Sequence, residues 1–201
     1  PLAQDYAKAS ERAKAGTRMA RKGGDYPLLS GGDVNLYSLF VERAMTLVQP
    51  TGLMGLIVPS GIASDKTAAP FFKGVATEGR LKALYDFENK KVFFPHVHAS
   101  FKFCAFVASP SSTADEAQCA FYLHNVAELA NPERRFTLSA ADFARVNPNT
   151  ATAPICRSRR DAELTKAIYV AAPILVDRSG SGAVKAWPVK YRRMFDMTND
   201  S

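Results

Sequence analysis

Between Val92 and Ser100 the chain reads VFFPHVHAS: two adjacent aromatic residues, a proline, and two histidines two positions apart. In an extended segment His96 and His98 would share one face, and with His124 or Cys104 they could suggest a metal. Two histidines at that spacing without a regular Cys/His partner fall short of a zinc set, so no metal is expected and loop hydrogen bonding is the better role. The three cysteines, Cys104, Cys119 and Cys156, are odd in number and far apart, which argues against a disulfide framework and for a reducing, cytoplasmic setting. Cys104 and Cys119 lie in apolar surroundings and read as small buried hydrophobes. No G-x-G-x-x-G follows any strand-like run, which disfavours a dinucleotide-dependent oxidoreductase.

A second group of chemistry-bearing residues is basic. The net charge is +7, and it is unevenly placed. Residues 1–24 carry six Lys/Arg against two acids, residues 157–201 carry nine against five, and residues 25–156 carry eleven against twelve. A near-neutral middle between basic ends fits a packed core whose periphery meets a polyanion. Arg157, Arg159 and Arg160, then Lys190, Arg192 and Arg193, are candidate phosphate contacts, and Lys102 beside the histidine loop is another. The competing reading of each run is a solvated surface.

The elements that must position these residues follow from pattern. At 201 residues with 47% hydrophobic side chains, the chain can form a substantial core and is not disordered. Its longest uncharged apolar stretch, 51–64, is broken by Pro59, Ser60 and Gly61 and cannot span a bilayer, so no membrane is expected. Residues 5–22 suit an exposed basic helix. Asp33 to Gln49 shows a helical stripe of Leu36, Phe40, Ala44, Leu47 and Val48, with Asp33 as N-cap. Leu53 to Val58 is apolar on both faces and reads as a central strand covered on each side. Thr67 to Glu78 reads as a helix with Pro70 in its first turn and Gly79 just past its end. Leu81 to Phe87 is the next strand, parallel to the first.

The rhythm then changes. Residues 88–100 have no helical period, and Phe101 to Val107 is a strand again. Two strands joined without a helix should be antiparallel. Gln118 to His124 reads as an edge strand, Ser139 to Val146 as a helix capped by Ser139, and Arg160 to Ala172 as a helix with Leu164, Ile168 and Ala171 on one face. Asn147-Pro148-Asn149-Thr150 marks a boundary. The result is an α/β sheet ending in a reversed strand.

The strings NLYSLFVERAMTLVQPTGLMGLIVPS (35–60) and LYDFENKKVFFPHVHASFKFCAFV (84–107), continued by NPNTATAPICRSRRDAELTKAIY (147–169) and WPVKYRRMFDMTNDS (187–201), resemble the C-terminal half of the catalytic domain of adenine-specific DNA methyltransferases, most nearly the Eco57I type found in fused restriction-modification and phage-defence methylases. The resemblance implies a partial Rossmann-like class I sheet dependent on S-adenosyl-L-methionine, with its last strand antiparallel and inserted beside its predecessor. It divides the chain into a basic segment 1–32, the methyltransferase half 33–146, and a connector 147–201 towards a target-recognition domain.

The family's glycine-rich cofactor motif and its Pro-Pro-containing catalytic motif do not occur in these residues, so no catalytic residue is assigned. The resemblance therefore implies partners: the missing N-terminal half of the domain, a recognition domain, and double-stranded DNA. The isolated chain should be inert, because in-line methyl transfer requires the whole constellation. A methylase of duplex DNA extrudes its target base. In the family an aromatic residue in a Phe-Pro segment before the last strand stacks on that base, which assigns the role to Phe94, with Phe93 as its neighbour and alternative. Phe40 matches the family position that packs on the cofactor's adenine, with Asn35 and Tyr37 just before it. The alternative function is a non-catalytic DNA-binding or scaffold module derived from a methylase.

Overall fold

A computed structural model describes residues 1–32, 34–112 and 115–189. Five strands form one mixed sheet: β1 (Met54–Pro59), β2 (Leu81–Glu88), β3 (Lys102–Ala108), β4 (Glu116–Leu123) and β5 (Phe136–Ser139), in the order β1-β3-β2-β4-β5. β3 runs antiparallel to both β1 and β2, so those two point the same way with the reversed strand inserted between them. β4 pairs parallel to β2, and β5 closes the sheet antiparallel to β4. The expected α/β class and the reversal after the 88–100 loop are both present.

Among the described residues six α-helices accompany the sheet: α1 (Leu2–Lys22), α2 (Leu36–Leu47), α3 (Gly61–Ser64), α4 (Ala69–Thr77), α5 (Ala140–Val146) and α6 (Arg159–Ala171). α1 buries only Ala20, as its lack of large apolar residues requires. α4 carries Pro70 in its first turn and is followed by Gly79 at φ +68, a left-handed position that glycine takes without a Cβ penalty. α5 and α6 both begin with capping boxes, Ser139 with Asp142 and Ser158 with Asp161, each satisfying two otherwise orphaned N–H groups.

Five expectations are corrected. The buried face of α2 is Ser38, Val41, Glu42 and Met45, while Leu36, Phe40 and Leu47 are exposed. Two stripes with helical spacing coexist on this helix. The one containing a carboxylate is buried because Glu42 accepts the N–H groups of Leu28 (2.9 Å) and Leu29 (2.8 Å), which compensates its desolvation. Its N-cap position is Asn35, and Asp33 lies outside the described residues.

β1 is not central. It is paired only on its β3 side among the described residues, and Ile57 is 61% exposed. Apolar residues on both faces suggest cover on each side, but composition reports only affinity for cover. β4 is interior because β5, only four residues long, pairs beyond it. The Leu164 and Ile168 stripe of α6 is exposed, and the helix docks instead through Ala162.

The larger core lies on one face of the sheet, where Phe71, Phe72 and Val75 of α4 meet Leu84, Phe106 and Phe121, with Phe143 of α5 edge-on to Phe72. Ala153, Cys156 and Ala162 join the same core, and Ala153 N–H donates to the Ala63 carbonyl. A smaller cluster occupies the other face: Phe87, Ala120 and Leu123, with Phe93, Phe103 and Leu129 against them. Among the described residues no helix is long and apolar enough to cross a membrane.

Candidate functional site

The carboxyl ends of β1, β2 and β4 and the start of β3 meet at one rim of the sheet, where Pro59 pairs with Phe103, Glu88 with Lys102 and Phe87 with Leu123. Ligands of open α/β sheets bind outside such ends. The 88–101 loop between β2 and β3 stands at this rim, and its shape is set by one side chain that pattern reading missed. Asn89 is 1% exposed. Its Nδ2 donates to the carbonyls of Phe94 (2.8 Å) and Val97 (3.0 Å), and its Oδ1 accepts from the Phe94 N–H (2.9 Å). A buried amide so occupied fixes the loop from within. Lys90 and Lys91, at φ +42 and +62, make the turn that carries the chain out of β2.

The two phenylalanines have different surroundings. Phe93 is half-buried, edge-on to Phe87 (5.3 Å) and Phe103 (5.1 Å). Phe94 is 44% exposed and meets Phe103 edge-on at 5.1 Å. It walls a cavity of about 270 Å³ together with Ile57, Val58, Val97, Phe101 and Phe103, with Asn89 and Lys102 as polar contributors.

A second, open cavity of about 570 Å³ adjoins it, sharing Pro59, Phe101 and Lys102 as a common wall. This one is lined by Asn35, Tyr37, Ser60, Ser64 and Asp65. A Cβ at Gly61 would collide with the Asp65 carboxylate and press on the Tyr37 hydroxyl, so the absence of a side chain there keeps this wall open. Burial pushes the Tyr37 phenol up from its ordinary value, so it is a neutral donor at neutral pH. Phe40, 69% exposed, lines neither cavity.

Behind the rim lies a buried acid. Asp86 accepts a hydrogen bond from the Ser60 hydroxyl, and Tyr122 N–H lies 3.5 Å from its other oxygen. Desolvation raises its pKa, opposed by those hydrogen bonds and by Lys102. Glu88 is held below the ordinary carboxylate range by its hydrogen bond to Lys90, and by His124 and Lys102. Burial pushes the Cys104 thiol up to about 12.

The basic candidates separate into groups. Lys102 Nζ stands 4.0 Å from the centroid of the Tyr122 ring and the Arg157 guanidinium carbon 4.6 Å from it, so these two are brought together. Arg159 turns towards the carbonyls of Arg135 and Pro132, beside a separate cavity that also receives Lys166. Arg160 is exposed on α6, and Lys190, Arg192 and Arg193 lie outside the described residues. His96 is exposed, His98 Nδ1 meets Ser100 Oγ (2.8 Å), and His124 Nε2 meets Glu88 (3.1 Å). Among the described residues no group of three or more His, Cys, Asp and Glu is placed to hold a metal.

Comparison with known proteins yields one family. Residues 9–93 match the model of the Eco57I restriction-modification methylase family. No curated protein matches. Among solved structures, the chain is similar to the type IIG restriction endonuclease BpuSI, with 18% identity and a TM-score of 0.39, over 57% of this chain and 13% of that one. The family match runs from within α1 to Phe93 and so takes in α2, β1, β2 and the first half of the rim loop. Over residues 9–93 the chain is thus similar to the Eco57I restriction-modification methylases.

Proposed function

We propose that this chain is the C-terminal part of the catalytic domain of a site-specific DNA adenine-N6 methyltransferase from a restriction-modification or phage-defence system, acting in the cytoplasm on double-stranded DNA. The observation that carries the reading is the aromatic cavity at the rim, walled by an exposed Phe94 whose backbone Asn89 holds rigidly. An unstacked nucleobase is a flat apolar body with a polar edge, and an exposed ring on a fixed loop beside apolar walls receives such a body by stacking. Phe94 takes the base. Phe93, packed on Phe87 and Phe103, supports the loop from below.

S-adenosyl-L-methionine supplies the electrophilic methyl group when bound. The adjoining cavity fits part of such a molecule by its chemistry: amide and hydroxyl groups from Asn35, Tyr37, Ser60 and Ser64, a carboxylate from Asp65, and space kept open at Gly61. Asn35 and Tyr37 are the residues of this chain that would hold it there, and Phe40 offers an exposed ring alongside. The glycine-rich turn and the Pro-Pro motif that complete such sites are absent from the sequence. The rest of the pocket is therefore assigned to the other half of the methyltransferase domain, docked on this one, with residues 147–201 as a connector towards a target-recognition domain.

The test is methylation of mixed-sequence duplex DNA by the intact protein with isotopically labelled S-adenosyl-L-methionine, followed by nucleoside mass spectrometry. Labelled N6-methyladenine is the expected product. Label on cytosine would refute adenine specificity, and binding without any transfer would favour the alternative of a docking module derived from a methylase.

A further inference from the structure

Tyr122 sits where a non-glycine residue is uncommon, at φ +55, and its surroundings hold it there. The Arg134 guanidinium donates through Nη2 to the carbonyls of Phe121 (3.1 Å) and Tyr122 (2.8 Å), and through Nη1 to the carbonyl of Arg157 (2.9 Å). One cation thus locks the backbone bearing the Tyr122 ring to the backbone bearing Arg157. Glu128, 3.2 Å from Arg134, holds that cation in turn.

The outcome is a half-buried aromatic ring with Lys102 Nζ and the Arg157 guanidinium both against it. The two cations lie no farther apart than those two short distances combined, a like-charge approach that the ring's electron density partly offsets. Neither has a dedicated counter-ion. Among the described residues no carboxylate lies within 4 Å of Arg157; the Glu88 carboxylate 3.7 Å from Lys102 is shared with Lys90 (2.8 Å) and His124 (3.1 Å), and the other acid facing Lys102, the buried Asp86, accepts from the Ser60 hydroxyl and makes no ion pair within 4 Å. A paired, under-neutralised cation site is a site for an anion. Its location names the anion, because Lys102 is also part of the wall of the Phe94 cavity. An aromatic slot with cations on one flank matches a nucleotide, base on one side and phosphate on the other.

We propose that Lys102 and Arg157, both held against the Tyr122 ring, grip a backbone phosphodiester next to the nucleotide whose base enters the Phe94 cavity. The inference rests on the methylase reading above and deepens it: Tyr122 is a positioning residue for the DNA strand, and Arg134 holds Tyr122 and Arg157 in register.

The experiment is a salt titration of binding between the intact protein and a fluorescein-labelled duplex of mixed sequence. Log affinity falls with log salt by about 0.9 for each phosphate contact neutralised. Arg157→Gln, on an exposed side chain, should reduce that slope by about one contact. Tyr122→Asn should reduce it too although no charge is removed; asparagine tolerates the left-handed backbone, which offsets part of the packing lost when the ring leaves the core. A general structural defect would weaken binding equally at every salt concentration and leave the slope unchanged. Unchanged slopes in both variants, with binding still weakened by Phe94→Ala, would overturn the grip and leave the base-pocket reading standing. Absence of salt-dependent DNA binding by the unaltered protein would overturn both.

Discussion

The Asn89 side chain takes hold of Phe94 by both of its backbone groups, donating to its carbonyl at 2.8 Å and accepting from its N–H at 2.9 Å. The bonding mimics a strand partner, yet it comes from a single amide buried at the end of β2. The aromatic ring at the rim is thus aimed by a residue that does not line it with carbon.

Asn89→Ala should therefore damage both stability and function. It leaves the Phe94 N–H and the Val97 carbonyl without their partner, while the Phe94 carbonyl keeps only the Val97 N–H, at about 1–3 kcal/mol for each group that water cannot reach. The expected outcome is a loss of about 2–4 kcal/mol in urea unfolding. Any surviving folded fraction should bind DNA less tightly, because Phe94 is no longer held.

Phe93 and Phe94 should separate cleanly. Phe94→Ala removes an exposed ring, so stability should change by less than about 1 kcal/mol while DNA binding by the intact protein falls by the ~1–3 kcal/mol of one stacked base. Phe93→Ala opens a hole against Phe87 and Phe103 and should cost about 2–4 kcal/mol of folding stability. Paired thermal melts and binding isotherms read the two effects; the same ranking in both assays would contradict the division of roles.

Glu42→Ala should destabilise the chain more than Phe40→Ala, against the order that hydrophobicity suggests. The carboxylate satisfies Leu28 and Leu29 N–H in a buried setting, so its loss should cost about 2–3 kcal/mol. Phe40, largely in solvent, should contribute less than about 0.5 kcal/mol. Chemical denaturation of the two variants is sufficient to compare them.

Asp86 gives a pH signature. Burial raises its folded-state pKa above the ordinary value of 3.8, so the native state binds its proton more tightly than the unfolded chain. The corresponding stability is fully present below the ordinary aspartate range and is lost as pH rises through the elevated folded pKa. Asp86→Asn cannot titrate, and its stability relative to the unaltered chain should therefore improve across that same window. Unfolding midpoints measured at intervals from pH 3 to pH 7 check the sign; a relative decline with rising pH would contradict it.

What was legible in the sequence was mostly local. Pro70 and Gly79 bracket α4, Ser139 caps α5, and the absence of a helical period between β2 and β3 announces the antiparallel turn, because each depends on neighbours a few positions away. The errors came where partners are distant. α2 offers two helical stripes, and the choice between them is made by Leu28 and Leu29, which supply donors for Glu42. Ile57 reads as core because it is apolar, although among the described residues a strand lies on one side of it only.

The site was partly legible as well. Asn35, Tyr37, Phe94 and Lys102 converge on the two joined cavities, while Phe40 stands outside them. Asn89, Asp86 and Tyr122 carried no signal in isolation. An asparagine after a strand is common, and its importance appears only once the loop has folded back onto it.

All three native thiols are buried and pushed above their ordinary range, Cys104 on β3 and Cys119 on β4 within the main core and Cys156 beside Thr165. Maleimide and iodoacetamide react with thiolates that solvent can reach, so the folded chain presents a silent background to both reagents. A cysteine introduced at the partly exposed Val97 would then accept a fluorophore or spin label by itself, placing a reporter on the mouth of the aromatic cavity without first removing the native sulfur atoms.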